Sequence, residues 1–237
     1  MIRSMFLAPA LAGLAVLAGG LAAAELGAPV PDYVGSKACT ACHSKQVSVW
    51  KGSHHAQAWL LPDEASVLGD FADAILEHRG VTSRFSSREG RYFVETDGPD
   101  GKLQEFEIKA TAGIAPLQQY LLETEPGRLQ ALDLAWDTLE QRWYHLYPEQ
   151  DLQGGEGLHW TGPYKTWNAR CAECHATDYQ KNYDPKTHRY ASTQAEIGVG
   201  CEACHGPGEA HVSWAKAPYA FDETRWRGLT ARGFTID

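Results

Sequence analysis

After its first two dozen residues, this 237-residue chain has no apolar run long enough to cross a bilayer as a helix. It also lacks any excess of positive charge. Lys and Arg number 21 against 30 Asp and Glu, a formal charge of −9. That balance excludes nucleic acid and anionic membrane surfaces as natural partners, and it steers a basic protein partner favourably. There is no low-complexity tract and no repeat beyond one pentapeptide. Above all, no cysteine lies outside that pentapeptide. None follows Ala24 closely enough to take a lipid anchor.

The pentapeptide is Cys-x-x-Cys-His, and it occurs at Cys39–His43, Cys171–His175 and Cys201–His205. Together the copies use all six cysteines. Two thiols one helical turn apart, followed by an imidazole, form the pattern that attaches c-type haem. Cys39, Cys42, Cys171, Cys174, Cys201 and Cys204 would form the thioethers, and His43, His175 and His205 would bind the irons. A zinc site would use two Cys pairs and leave the third idle, without explaining a His after each second Cys. A thioredoxin-like site needs one pair in a βαβ frame, which the flanks do not offer. Disulfides closing across two residues would be strained.

The N-terminus reads as a secretory signal peptide. Arg3 is the positive region, Phe6 to Ala18 is apolar, and Ala22-Ala23-Ala24 is a small-residue cleavage site. Residues 1–24 are therefore expected to be removed and the protein exported, to a bacterial periplasm. Covalent haem attachment belongs to the same kind of compartment. Residues 25–237 are expected to form one trihaem domain.

The expected fold is mostly α with a small antiparallel β insert at about 81–110, around a haem-packed core. Val67, Leu68, Phe71, Ala74 and Ile75 fall at helical spacing between Asp63 and His78, and Gly80 ends that run. From Val81 the apolar residues alternate, with a turn at Asp97-Gly98-Pro99-Asp100-Gly101. Pro116 to Glu123 reads as a short helix, and Leu129 to Tyr147 as strand-like pieces rich in aromatics. Thr193 and Glu196 have capping-box spacing. The eight tryptophans, among them Trp50, Trp59, Trp160, Trp167 and Trp214, suit packing around haem.

Seven histidines remain for the opposite faces of the irons. His54 and His55 follow the first motif by about a helical turn or more, and neighbouring helical positions diverge by about 100°, so one of the two can ligate. His55 is favoured, with His54 the alternative. His211, tethered shortly after the third motif, suits a neighbouring haem. His145 and His159 lie among aromatics and are candidates for ligation or for hydrogen-bonded core positions. His78 ends a predicted helix, and His188 lies in a polar loop.

At YVGSKACTACH, VWKGSHHAQA, RWYHLYPE, LHWTG, WNARCAECHAT and AEIGVGCEACHGPGEAHVSWA the chain resembles the cytochrome c-554 and related multihaem family. The resemblance extends through VTSRFSSREGRYFVETDGPDGKLQEFEI, PLQQYLLE and GRLQALDLAWD, so it covers most of Tyr33 to Trp214. In particular it resembles exported bacterial members that often carry tetratricopeptide repeats. It implies a mostly helical domain with bis-histidine haems used for electron transfer, carries ligand candidacy onto His55 and His211, and strengthens His145 and His159. Relatives usually have a fourth motif further on. Its lack here reads as a shortened form or a truncated frame. The expectation is thus an electron carrier working with periplasmic redox proteins. The alternative is an oxidoreductase acting on a small nitrogen compound at a five-coordinate haem, with His54, His78 or His145 handling protons.

Overall fold

The computed structural model describes residues 30–230 and 232–234. The signal peptide read at 1–24 lies outside them. Two short helices, α1 (Ser36–Cys39) and α2 (Ser44–Lys51), carry the first motif. There follow seven strands: β1 (Ala72–His78), β2 (Val81–Arg88), β3 (Arg91–Asp97), β4 (Leu103–Ala112), β5 (Leu117–Glu125), β6 (Arg128–Asp137) and β7 (Arg142–His145). The helices then return as α3 (Trp167–Arg170) and α4 (Ala172–His175) at the second motif, and α5 (Glu202–His205) and α6 (Glu209–Lys216) at and after the third. Between them lie two ribbons, β8 (Ala176–Thr177) with β11 (Glu196–Ile197), and β9 (Tyr183–Asp184) with β10 (Arg189–Tyr190).

The expectation of a mostly α fold is therefore corrected. Strand accounts for 33% of the structure and helix for 19%, and the six helices are short. The seven strands form one antiparallel meander in chain order. Register shifts at Ala72/Ala74, Ile108/Ala110 and Gln119/Leu121 mark irregularities of the bulge kind, which sharpen strand twist. The sheet curls until its two ends meet. The His78 ring in β1 stacks on His145 in β7, centroids 4.2 Å apart, and the Trp143 indole donates to the Asp70 carbonyl at 2.9 Å.

Two of the misread segments have a physical explanation. In the run read as a helix, the part that becomes β1 also alternates, with Ala74, Leu76 and His78 half-buried and Asp73, Ile75 and Glu77 exposed. In the run read as a short helix, β5 has cores on both sides. Tyr120 and Leu122 join Phe85, Val94, Ile108, Leu132, Leu134, Trp136 and Trp143 in the core inside the sheet. Leu121 faces a second core with Ala110, Ala112, Ala131, Trp59, Trp167 and Ala172. A strand buried on both faces loses the period-two signature and reads as a continuous apolar run. The turn at 97–101 forms as expected, with Gly101 at φ 72°. The capping box does not form: Glu196 lies in β11 instead.

The sheet serves the motifs as a platform. The small residues Ala110, Ala112 and Ala131 leave a low surface on which Trp59, Trp167 and Ala172 pack. α3 is fixed to β6 by the Asn168 side chain, whose carbonyl accepts from the Leu129 N–H at 2.8 Å. The segment carrying the second motif thus packs directly on a strand.

Candidate haem-attachment site

The first and third motifs come together although 162 positions separate their first cysteines. Glu202, the residue after Cys201, is 4% exposed. Its carboxylate accepts from the backbone N–H groups of Val34 at 2.9 Å, Gly35 at 2.7 Å and Gly208 at 2.7 Å. A second carboxylate, Glu196, accepts from the Ser36 N–H and hydroxyl, and the Ser36 oxygen in turn accepts from the Cys201 N–H at 3.0 Å. These bonds clamp α1 to α5. The Cys39 thiol is pushed up to about 11 by burial and by the neighbouring Cys201 thiol. The first cysteines of the two motifs are therefore side by side.

Between the two motifs lies a cavity of about 760 Å³. Its lining includes Ala38, Val47, Val212, Trp214 and Phe234, together with Cys39, Cys42, Cys201, His43, His205 and His211. Cofactor pockets fall at about 300–1,000 Å³ and are mostly apolar. Across this space the His43 and His211 rings stand 6.2 Å apart between centroids. The Nδ1 of His211 is 2.9 Å from the Arg232 carbonyl, so it carries its proton there and leaves Nε2 without one in the neutral ring. Phe234 stacks on the same imidazole at 4.1 Å.

The second motif lies apart, on the sheet. His175 Nδ1 donates to the Ala58 carbonyl at 2.9 Å, which fixes the tautomer and frees Nε2. Trp167 meets the His175 ring edge-on at 5.0 Å, and Trp59 meets Trp167 at 5.5 Å. Burial pushes the Cys171 thiol up. The segment after α2 touches the other motifs: the His55 carbonyl accepts from Val199, two residues before Cys201, and Ala58 holds His175. His54 and His55 are both exposed in this turn. The six cysteines are all unpaired with one another, and Cys42, Cys174 and Cys204 are exposed.

His145 and His159 stand elsewhere, at the end of the sheet. His159 is buried with both ring nitrogens engaged, Nδ1 with the Thr161 hydroxyl at 2.7 Å and Nε2 with Asp97 at 2.8 Å. His145 accepts the Tyr147 N–H on Nδ1 at 3.0 Å. Its neutral ring therefore carries the proton on Nε2, where a metal would bind. Burial, with His78 and Lys165, pushes its pKa down to about 4. His188 contacts the Tyr183 hydroxyl in an exposed loop. Sequence reading missed the parts played by Glu202 and Glu196. An acidic residue inside Cys-x-x-Cys-His carries no signal that it will bind a segment some 170 positions upstream.

Three such motifs, two of them facing a shared apolar cavity, are the arrangement expected for c-type haem attachment. Residues 38–69 and 139–206 match the family described as cytochrome c554 and c-prime. The similarity is confined to these two segments, which hold all three motifs. The unmatched stretch between them, 70–138, holds β1 to β6. No curated protein matches the chain. Among solved structures it is similar to the outer cell wall cytochrome OcwA, at 21% identity and a TM-score of 0.49 over 81% of this chain and 36% of that one. It is also similar to an undecahaem cytochrome from the S-layer of Carboxydothermus ferrireducens, at 20% identity and a TM-score of 0.48, over 86% of this chain and 25% of that one. The chain thus spans about a third or less of each. Among the described residues no helix is long and apolar enough to cross a membrane.

Proposed function

We propose that this chain is an exported electron relay that would hold three haems, one on each Cys-x-x-Cys-His, with His43 and His211 as the residues that would hold the iron of the first. The observation that carries the pairing is the 6.2 Å between their rings across the cavity. With metal–imidazole bonds of about 2 Å and about 1 Å more from nitrogen to ring centre, set by C–N bonds of about 1.33 Å, two imidazoles holding one metal ion would have their ring centres about 6 Å apart. The free Nε2 of His211 supports the same reading. His175 and His205 would hold the other two haems, and His55, with His54 beside it, lies in the segment that reaches both of their motifs. Bound haem c supplies an iron that alternates between ferric and ferrous states at a potential set by ligands and burial.

The residues of the chain do the rest. Glu202 and Glu196 hold the first and third motifs together, so that groups attached there would be neighbours. The Ala58 and Arg232 carbonyls orient His175 and His211. An acidic surface favours basic redox proteins as donor and acceptor. The signal peptide read at the N-terminus and the covalent haem chemistry support a periplasmic location. The engagement of His145 and His159 in hydrogen bonds of their own turns the ligand set towards His211 and His55.

Intact mass and electron paramagnetic resonance of the purified protein test this reading. Three haem additions and one new high-spin signal in His211→Ala are expected. A mass without haem, or an unchanged spectrum in that variant, would overturn the count or the pairing.

A further inference from the structure

Away from the motifs, the end of the sheet holds a second group of ionisable side chains around a cavity of about 110 Å³. His78 and Arg79 come from the end of β1, Asp97 from β3, Asp133 from β6, His145 from β7, and Asp151 and His159 from the connection that follows. The volume is enough for several water molecules. Gln150, Asp151 and Gln153 are exposed at its mouth, so the cavity is open to protons from solvent. Asp133, its side chain 5% exposed, pairs with Lys165 at 2.7 Å. Lys165 closes a 3-10 turn, Pro163–Lys165, that leads straight into α3 and the second motif.

We propose that Asp133 is a proton-binding site coupled to the haem attached at Cys171 and Cys174, taking up one proton from solvent when that haem gains one electron. The inference rests on the haem reading above and adds a residue outside every motif. Two connections carry it. The strand holding Asp133 is the one on which α3 packs, through Asn168 and Leu129. The partner of Asp133, Lys165, ends the turn that runs into α3, and the Cys171 N–H donates to the Trp167 carbonyl at the start of that helix at 3.0 Å. One added negative charge at the haem, supplied by a protein reductant, favours the protonated carboxyl, and protonation favours the reduced haem by the same factor. One electron and one proton enter together and the local charge is conserved.

Two neighbours in the cluster, Asp97 and His145, are both shifted downward. Asp97 is held low, because the His159 and Thr96 hydrogen bonds outweigh its burial. His145 is kept neutral by burial, His78 and Lys165. Burial moves Asp133 the other way, upward, even with Lys165 beside it. Of the two carboxylates, Asp97 and Asp133, it is Asp133 whose proton affinity is raised.

Redox titration of the haem-loaded protein at a series of acid to neutral pH values tests the proposal, with dithionite as reductant and haem content fixed by intact mass. In the wild type one haem potential should fall as pH rises. In Asp133→Asn that dependence should vanish, with the potential held at its acid limit. In Lys165→Met the window should move to higher pH, since the carboxylate loses its counter-charge. A slope that persists in Asp133→Asn, or a window that stays in place in Lys165→Met, overturns the proposal. Either variant alone suffices if the other fails to fold. Loss of barrel stability alone would lower the melting temperature and leave the pH dependence intact. Haem-loaded protein with no pH dependence would refute the proton site and leave the relay standing, whereas protein without haem would refute the relay itself.

Discussion

Replacing Glu202 by Ala tests how the first and third motifs are held together. The carboxylate satisfies three backbone N–H groups, at Val34, Gly35 and Gly208, across distances of 2.7–2.9 Å. A buried donor left without an acceptor costs about 1–3 kcal/mol. Water entering the vacated space would recover part of that for the half-buried pair at 34 and 35. The net loss should be about 3–5 kcal/mol, the range seen when one member of a buried charged network is removed. For a domain of this size each kcal/mol lowers the melting temperature by about 2–4 °C. A fall of about 6–20 °C is therefore expected in a thermal melt followed by circular dichroism on haem-loaded protein. Glu202→Gln, which keeps one acceptor oxygen, should fall between. A loss under about 1 kcal/mol in the Ala variant would refute the clamp, because three unsatisfied donors cannot cost so little if the site stays dry.

Other consequences follow from single residues. Leu132 is fully buried inside the sheet, so Leu132→Ala should cost about 2–5 kcal/mol in a denaturant melt. Gly127 has φ 79° and a Cβ there would strike the Tyr190 carbonyl, so Gly127→Ala should destabilise by more than about 1 kcal/mol while spectra of the haems stay unchanged. His145 has its pKa pushed down to about 4 from an ordinary 6.5. The unfolded chain then binds the extra proton first, so stability should fall as pH drops from about 6.5 to about 4. The half-exposed ring limits this to about 1–2 kcal/mol. His145→Gln should flatten that part of a stability-versus-pH series, and an unaltered series would refute the assignment of a neutral ring.

Much of the chemistry was legible in the chain because it is local. Cys-x-x-Cys-His brings its own thiols and imidazole to one turn of helix, so cofactor and proximal residues need no long-range information. The hairpin at Asp97–Gly101 was equally plain, since glycine and proline fix it within five residues. The extent of the sheet was not. β5 is apolar on both faces because it separates two cores, and β1 satisfies helical and strand spacing at once. Short windows cannot decide such cases, which tertiary packing settles. Among the candidate histidines, aromatic sequence neighbours favour His145 and His159 over His211, which is flanked by Ala210 and Val212. What separates them in the fold is the partner of each ring nitrogen, and those partners, Tyr147, Asp97 and Arg232, are revealed by no spacing.

The sequence by itself pointed to the kind of cofactor, named the cysteines and histidines proposed to present it, and set the acidic charge of the chain, all properties of single residues or of one helical turn. The tertiary structure decided that a seven-stranded sheet underlies the motifs, and that the first and third motifs share a cavity while the second lies on β6. It also placed a buried carboxylate with its lysine behind the second. Those are outcomes of strand register and of hydrogen bonds spanning more than a hundred residues, where the free energy of burial, not local preference, chooses the partner.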